Sequence, residues 1–237
     1  MYSIKSRVRY SEVDKRKKLT LTGIVNYFQD CSTFQSEDIG LGIEFLEAHK
    51  RGWILLAWQI IVERYPELGE RIEVGTWPTG FSGLYGTRNF VMKDEGGNII
   101  AYANSVWVFM DARKGRPVKP AEDEISNYVV EPKLSMDYAP RKIELPKQWK
   151  RLAAFPVRRS QIDTNCHVNN SRYIEMALEA LPKEIHVKQV RVEYKKSAVY
   201  GDMILPEINK EGTKTTVKLC DTEDGLYAAV EFIGEEK

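Results

Sequence analysis

The stretch VRRSQIDTNCHVNN, residues 157–170, opens on a phrase the chain has already used, because VRYSEVD at residues 8–14 returns as VRRSQID at residues 157–163. Four of the seven pairs are identical, Glu12 opposite Gln161 and Val13 opposite Ile162 are conservative, and the offset is 149 residues. A repeat at that spacing in a chain of 237 residues predicts two similar units rather than one large domain.

Each copy is followed by a helical period. Ile24, Tyr27, Phe28 and Cys31 fall at i, i+3, i+4 and i+7, with Thr20 or Thr22 placed to cap the start. In the second copy Tyr173, Ala177 and Leu181 repeat at i, i+4 and i+8, Asn169 to Ser171 supply cap candidates, and Pro182 is placed to close the helix. Each helix then gives way to β-rich sequence: WILLAWQIIVERYP, ERIEVGTW, TRNFVMKD and IIAYANSVWVFMD in the first half, VKQVRVEYKK, TKTTVKLCD and LYAAVEFIG in the second. Asp94 to Asn98 and Thr222 to Gly225 read as hairpin loops. The repeat continues into the strands, where Tyr65-Pro66-Glu67-Leu68-Gly69-Glu70 lies opposite Ser197-Ala198-Val199-Tyr200-Gly201-Asp202.

The expected fold class is α+β: two tandem repeats, each a central helix wrapped by an antiparallel sheet that buries its inner face against it. Such units commonly pair their sheets edge to edge, which removes two exposed edges. The expected organisation is an N-terminal repeat over residues 1–118, a linker over 119–150 carrying Pro120, Pro132, Pro140 and Pro146, and a C-terminal repeat over 151–237.

Composition excludes several classes. Formal net charge is +1 and charged residues make up 29%, which argues against nucleic-acid binding by the whole domain. Three cysteines, Cys31, Cys166 and Cys220, are odd in number and far apart, with no zinc-like spacing, so a reducing compartment and a cytoplasmic location are expected. No window approaches the ~18 apolar residues of a membrane span. The sequon Asn169-Asn170-Ser171 is therefore an accident of composition.

The two copies differ after their shared aspartates. Asp14 is followed by Lys15-Arg16-Lys17-Lys18, and Asp163 by Thr164-Asn165-Cys166-His167. Had the architecture required those polar side chains for a turn, the first copy would carry them too, so the second copy reads as a site. An imidazole can accept and donate a proton near neutral pH, a carboxylate four residues back can orient it or act on water, and an amide can hold a carbonyl. His167 also lies just before a predicted helix N-terminus, where free N–H groups suit an oxyanion. That combination fits hydrolysis.

The segment IDTNCHVNNSRYIEMALEALP, together with VERYPELGERIEVGTWP and NSVWVFMDARKGRPVKPAEDEI, resembles the acyl-acyl carrier protein thioesterases of plants and bacteria, a double hot-dog family. The resemblance extends from about residue 50 to 205, with a weaker match at NYFQDCSTF. It implies hydrolysis of the thioester between a fatty acyl chain and acyl carrier protein, with catalytic roles on Asp163, Asn165 and His167 and acyl-chain binding in the N-terminal repeat. No metal or organic cofactor is implied. The plant enzymes carry a Glu-Cys pair after an EYRR-like strand, whereas EYKK here is followed by Ser197-Ala198. A cysteine nucleophile at that point is excluded, which leaves attack by water or by Asp163 itself.

Cys166 reads as a bystander, on the expectation that neighbours in an extended loop point opposite ways. Glu175 reads as a solvated or paired helix residue. The basic clusters Lys15 to Lys18, Arg158-Arg159 and Lys195-Lys196 are candidate docking elements for an acidic carrier protein. The rival readings are a hot-dog thioesterase or hydratase acting on acyl-CoA, and a non-catalytic acyl-binding protein. A chain that already pairs two units is expected as a monomer or a homodimer.

Overall fold

In the computed structural model, which describes residues 1–181 and 184–236, the first helical period forms α1 (Leu21–Asp38). Thr20 caps it, its hydroxyl oxygen accepting from the Gly23 N–H at 3.0 Å. Ile24, Tyr27, Phe28 and Cys31 are all buried, as their spacing predicts. Each such side chain taken out of water contributes about 1.5–3 kcal/mol, so this one stripe is enough to hold the helix on its sheet. A second helix, α2 (Ile43–His49), was not foreseen: it is seven residues long, too short for a periodic signal.

The structure divides into two compact units. The first comprises Met1–Leu56 and Ile60–Tyr138, the second Ala57–Gln59 and residues from 139 onward. The first contains β1 (Tyr2–Arg7), β2 (Arg51–Val62) apart from Ala57–Gln59, β3 (Arg71–Ser82), β4 (Tyr85–Asp94), β5 (Ile99–Asp111) and β6 (Arg116–Pro117). Its sheet runs β1-β3-β4-β5-β2, with β6 on the end of β5. Phe28 of α1 meets Phe90 of β4 with ring centroids 5.3 Å apart, so the sheet face carrying Phe90 is the one under the helix.

The second unit has β7 (Lys150–Arg151), β8 (Phe155–Pro156), α3 (Asn170–Glu179), β9 (Ile185–Tyr194), β10 (Met203–Glu211), β11 (Lys214–Cys220) and β12 (Leu226–Glu236). Its sheet runs β9-β12-β11-β10, with β7 and β8 on the far side of β10. Tyr173 and Ala177 of α3 are buried, but Leu181 lies beyond the helix end and the expected stop at Pro182 falls outside the described residues. Both hairpin loops stand where their turn residues place them.

Strand β10 is the element the residue pattern hid. Pro206 sits inside it, and a proline cannot donate to a ladder. The structure accommodates it at a gap: β8 pairs with Met203 and Ile204, β7 with Glu207 and Ile208, and the Pro206 carbonyl accepts from the Leu152 N–H at 3.0 Å.

The proline-rich stretch after β6 is pinned rather than loose. Asn89 of β4, fully buried, donates to the Ala103 carbonyl and accepts from both the Leu134 N–H (3.0 Å) and the Tyr138 hydroxyl (2.9 Å). The Trp77 indole donates to the Pro132 carbonyl at 2.9 Å, and the Ile143 N–H donates to the Glu193 carboxylate at 3.1 Å. Asn89→Ala would remove the donor to the buried Ala103 carbonyl and the acceptor shared by the Leu134 N–H and the Tyr138 hydroxyl. It is expected to cost about 2–3 kcal/mol, read as a lower urea midpoint with unchanged slope.

Candidate functional site

The shared phrase VRxSxxD builds the same turn twice. Glu12 accepts from the Arg9 N–H at 2.9 Å and Gln161 from the Arg158 N–H at 2.7 Å, which is why a glutamate and a glutamine can exchange here. Val13 bridges Leu19, and Ile162 bridges Val168. The Asp14 N–H donates to the Lys18 carbonyl and the Asp163 N–H to the His167 carbonyl, both at 2.8 Å. Inside each loop the aspartate Oδ1 accepts two backbone N–H groups: Arg16 and Lys18 at 2.9 and 3.0 Å, Asn165 and His167 at 2.8 and 3.4 Å. The fourth residue of each loop is left-handed, Lys17 at φ 61° and Cys166 at φ 62°.

This reassigns part of the sequence reading. Asp163 has a structural task that Asp14 shares, so only Thr164 to His167 distinguish the second copy. The carboxylate reaches the His167 main chain; among the described residues no hydrogen bond joins it to the imidazole. Cys166 does not lie in an extended loop, and its exposed thiol stands on a left-handed backbone that its counterpart Lys17 also adopts. A bystander role is consistent with that shared geometry, but the alternation expected of an extended loop is not the reason for it.

The rim of the turn is the segment Lys195 to Asp202. Val168, next to His167, donates its N–H to the Ala198 carbonyl at 2.9 Å, and the Ala198 N–H in turn donates to the Tyr173 hydroxyl at 2.8 Å. Burial raises the Tyr173 phenol to about 12, which keeps it neutral and able to accept. Ser197 is exposed beside this clamp. The first unit repeats the arrangement, Leu19 N–H donating to the Pro66 carbonyl at 2.8 Å, with Gly69 and Gly201 at φ +82° and +88° in the matching tight turns. Tyr173 was read only as a helix-face residue. The signal that could have found it is its place at the end of HVNNSRY.

Asn165 and His167 are exposed, and among the described residues neither side chain has a hydrogen-bond partner. The helix end contributes less than its position promised. Asn169 is the N-cap of α3, its Oδ1 accepts from the Ser171 N–H at 3.0 Å, and the Arg172 N–H donates to the Asn169 carbonyl at 2.9 Å. Two of the first N–H groups are thus spent at home. Glu175 pairs with Arg172 at 2.6 Å on its own helix. No cluster suited to a metal ion occurs among the described residues.

Comparison with known proteins finds the acyl-ACP thioesterase N-terminal domain matching residues 1–128 and the acyl-ACP thioesterase C-terminal domain matching residues 144–232. An oleoyl-acyl carrier protein thioesterase of Coriandrum sativum is 27% identical over 97% of this chain and 69% of its own length. A palmitoyl-acyl carrier protein thioesterase of Cuphea hookeriana is 30% identical over 94% of this chain and 55% of its own. This chain therefore spans only part of the plant sequences. Among solved structures, an acyl-ACP thioesterase from Bacteroides thetaiotaomicron superposes with a TM-score of 0.89 at 24% identity, covering 98% of this chain and 97% of its own. The 12:0-ACP thioesterase of Umbellularia californica gives 0.86 at 19%, covering 100% and 98%. These likenesses establish the double hot-dog fold.

If each aspartate holds its turn, Asp14→Ala and Asp163→Ala should each lower stability by about 1–2 kcal/mol in chemical denaturation. Asp163→Asn keeps an oxygen for both N–H groups and should leave the midpoint within about 0.5 kcal/mol of the parent; a loss as large as that of the alanine variant would contradict the turn assignment.

Proposed function

The chain belongs to the acyl-ACP thioesterase family, and from that premise we propose that it hydrolyses the thioester of fatty acyl carrier protein, with Asp163, Asn165 and His167 as its catalytic residues. The observation that carries this reading is the matched pair of turns. On one backbone geometry the first repeat presents Lys15 to Lys18 and the second presents Thr164, Asn165, Cys166 and His167. Side chains that differ where the backbone is the same have been selected for something other than the turn.

In the proposed reaction His167 accepts a proton from water as its oxygen attacks the thioester carbon, and the Asn165 amide donates to the carbonyl oxygen as it gains negative charge. Collapse of the tetrahedral intermediate expels the carrier thiolate, which takes the proton back from the imidazolium. Asp163, through its Oδ1, holds the main chain that positions Asn165 and His167. Water is favoured over direct attack by Asp163 because that oxygen already accepts two N–H groups of its own turn, which lowers its nucleophilicity. Acyl-chain binding is assigned to the N-terminal repeat, whose turn lacks these groups, and catalysis to the C-terminal repeat.

The carrier protein is proposed to dock on the basic flanks of the turn. Arg158 and Arg159 immediately precede it, and Lys195 and Lys196 precede the Ser197–Ala198 segment that pairs with Val168. Arg159 stacks on Tyr200 at 5.2 Å, and Lys196 bonds Asp221 at 3.1 Å, so both are held near the loop. A cytoplasmic setting is proposed from the three unpaired cysteines; the plant relatives are chloroplastic.

A series of acyl carrier protein substrates of graded chain length, with free acid detected, is the direct test. His167→Ala is expected to lower kcat by about 10²–10⁴-fold and Asn165→Ala by about 10²–10³-fold. Unchanged hydrolysis in His167→Ala would remove the assignment. No acid release by the parent protein would favour an acyl-binding role instead. The double change Arg158→Glu with Arg159→Glu should raise KM for the carrier substrate about tenfold at low salt, and far less for the same acyl group on CoA. Equal effects on the two carriers would move the docking surface elsewhere.

A further inference from the structure

On β4 the face under α1 carries Met92, Phe90 and, two residues further, Arg88. The side chains before it are apolar, and Arg88 is itself only 8% exposed. Its Nη1 donates to the Gln35 side-chain oxygen on α1 and to the Thr76 hydroxyl on β3. The guanidinium carbon lies 5.6 Å from the centre of the Tyr128 ring, whose hydroxyl is 2.7 Å from the Ser36 oxygen. Burial pulls the guanidinium down to about 10, the direction expected of a cation without a counter-charge.

Every buried carboxylate among the described residues has a cation. Asp111 and Glu124 share Arg51, Glu193 has Lys195, Glu207 has Arg151 and Lys218, and Glu231 has Arg191 and Lys214. Arg88 alone among these buried charges has no opposite charge, and its Nε and Nη2 meet no acceptor among the described residues. A packing role would be met at lower cost by an apolar side chain, continuing the Met92–Phe90 series. The Nε and Nη2 edge of a guanidinium is a two-pronged donor that matches a carboxylate, and either prong suits a hydroxyl or keto oxygen. Next to Arg88 on β5 stands Ser105, with Ala103 beside Phe90, so the neighbouring inward positions are small.

We propose that Arg88 is a specificity residue of the first repeat: its free Nε/Nη2 edge receives an oxygen carried on the acyl chain away from the thioester, and so selects oxygenated chains over plain hydrocarbon of equal length. A carboxylate fits the fork best. The proposal rests on the acyl-binding role given above to this repeat.

The test has two arms, so that its failure and a failure of the thioesterase reading come apart. In the binding arm, thermal shift compares methyl decanoate with the monomethyl ester of decanedioic acid, the methyl ester standing in for the thioester end. The second ligand should raise the Tm of the parent protein more than the first, and Arg88→Met should abolish that difference. In the hydrolysis arm, decanoyl carrier protein is compared with its ω-carboxy and ω-hydroxy counterparts. The parent protein should favour the oxygenated chains about tenfold or more in kcat/KM, and Arg88→Met should reverse the order. Arg88→Lys keeps the charge without the fork, should fall between, and carries the comparison if the methionine variant does not fold. Equal handling of both chain types by the parent protein in the two arms overturns the proposal. Selective binding with no hydrolysis of any carrier substrate upholds Arg88 and overturns the thioesterase reading.

Discussion

A carboxylate closing a loop on two of its own backbone N–H groups is the interaction on which both halves of this molecule turn. In each repeat that cage fixes where the chain leaves the VRxSxxD phrase and where it enters the central helix. Asn169 donates its N–H to the Gln161 carbonyl as Thr20 does to Glu12, so the turn hands the chain directly to the N-cap. The helix then finds its sheet because the cap, rather than packing alone, sets where its buried stripe begins. The cage and the backbone bonds of the turn together hold Lys17 and Cys166 in a left-handed conformation that costs a non-glycine residue of order 1 kcal/mol.

Such a turn is a useful platform for chemistry because its geometry is independent of the side chains it displays. Lys15 to Lys18 and Thr164 to His167 have no residue in common, yet they occupy equivalent backbone positions. A duplicated scaffold can therefore keep one loop for the fold and change the other for reaction. The clamp from Tyr173 through Ala198 to Val168 adds rigidity beside His167, where the proposed proton transfer would be sensitive to a displacement of an angstrom.

Much of this was legible in the residues, and the gaps have physical causes. The repeat itself, the α+β class, the α1 stripe, most of the α3 stripe and both hairpin loops followed from periodicity and turn chemistry, while the caps were narrowed only to Thr20 or Thr22 and to Asn169 through Ser171. Strand β10 did not, because Pro206 signals a break and the structure meets it with a gap between two short partner strands. Pinning of the stretch after β6 was invisible because it depends on Asn89, a single polar residue buried under an apolar strand pattern. The role of Asp163 was half legible: comparing the copies by what differed drew attention to Asn165 and His167, while the residue they share was the one with a common structural task.

A carboxylate can serve the structure and the proposed reaction at once. One oxygen of Asp163 is committed to the Asn165 and His167 N–H groups, yet those bonds do not neutralise its charge; they fix it beside the main chain that carries the imidazole. A carboxylate held in this way does not have to move during the reaction proposed above, which is the advantage of a preorganised group over a mobile one. The first repeat holds the Arg16 and Lys18 N–H groups with the same carboxylate, in a loop that displays basic side chains instead. An aspartate that both copies use for the turn is thus also at hand, in the copy that carries His167, for the role proposed for it.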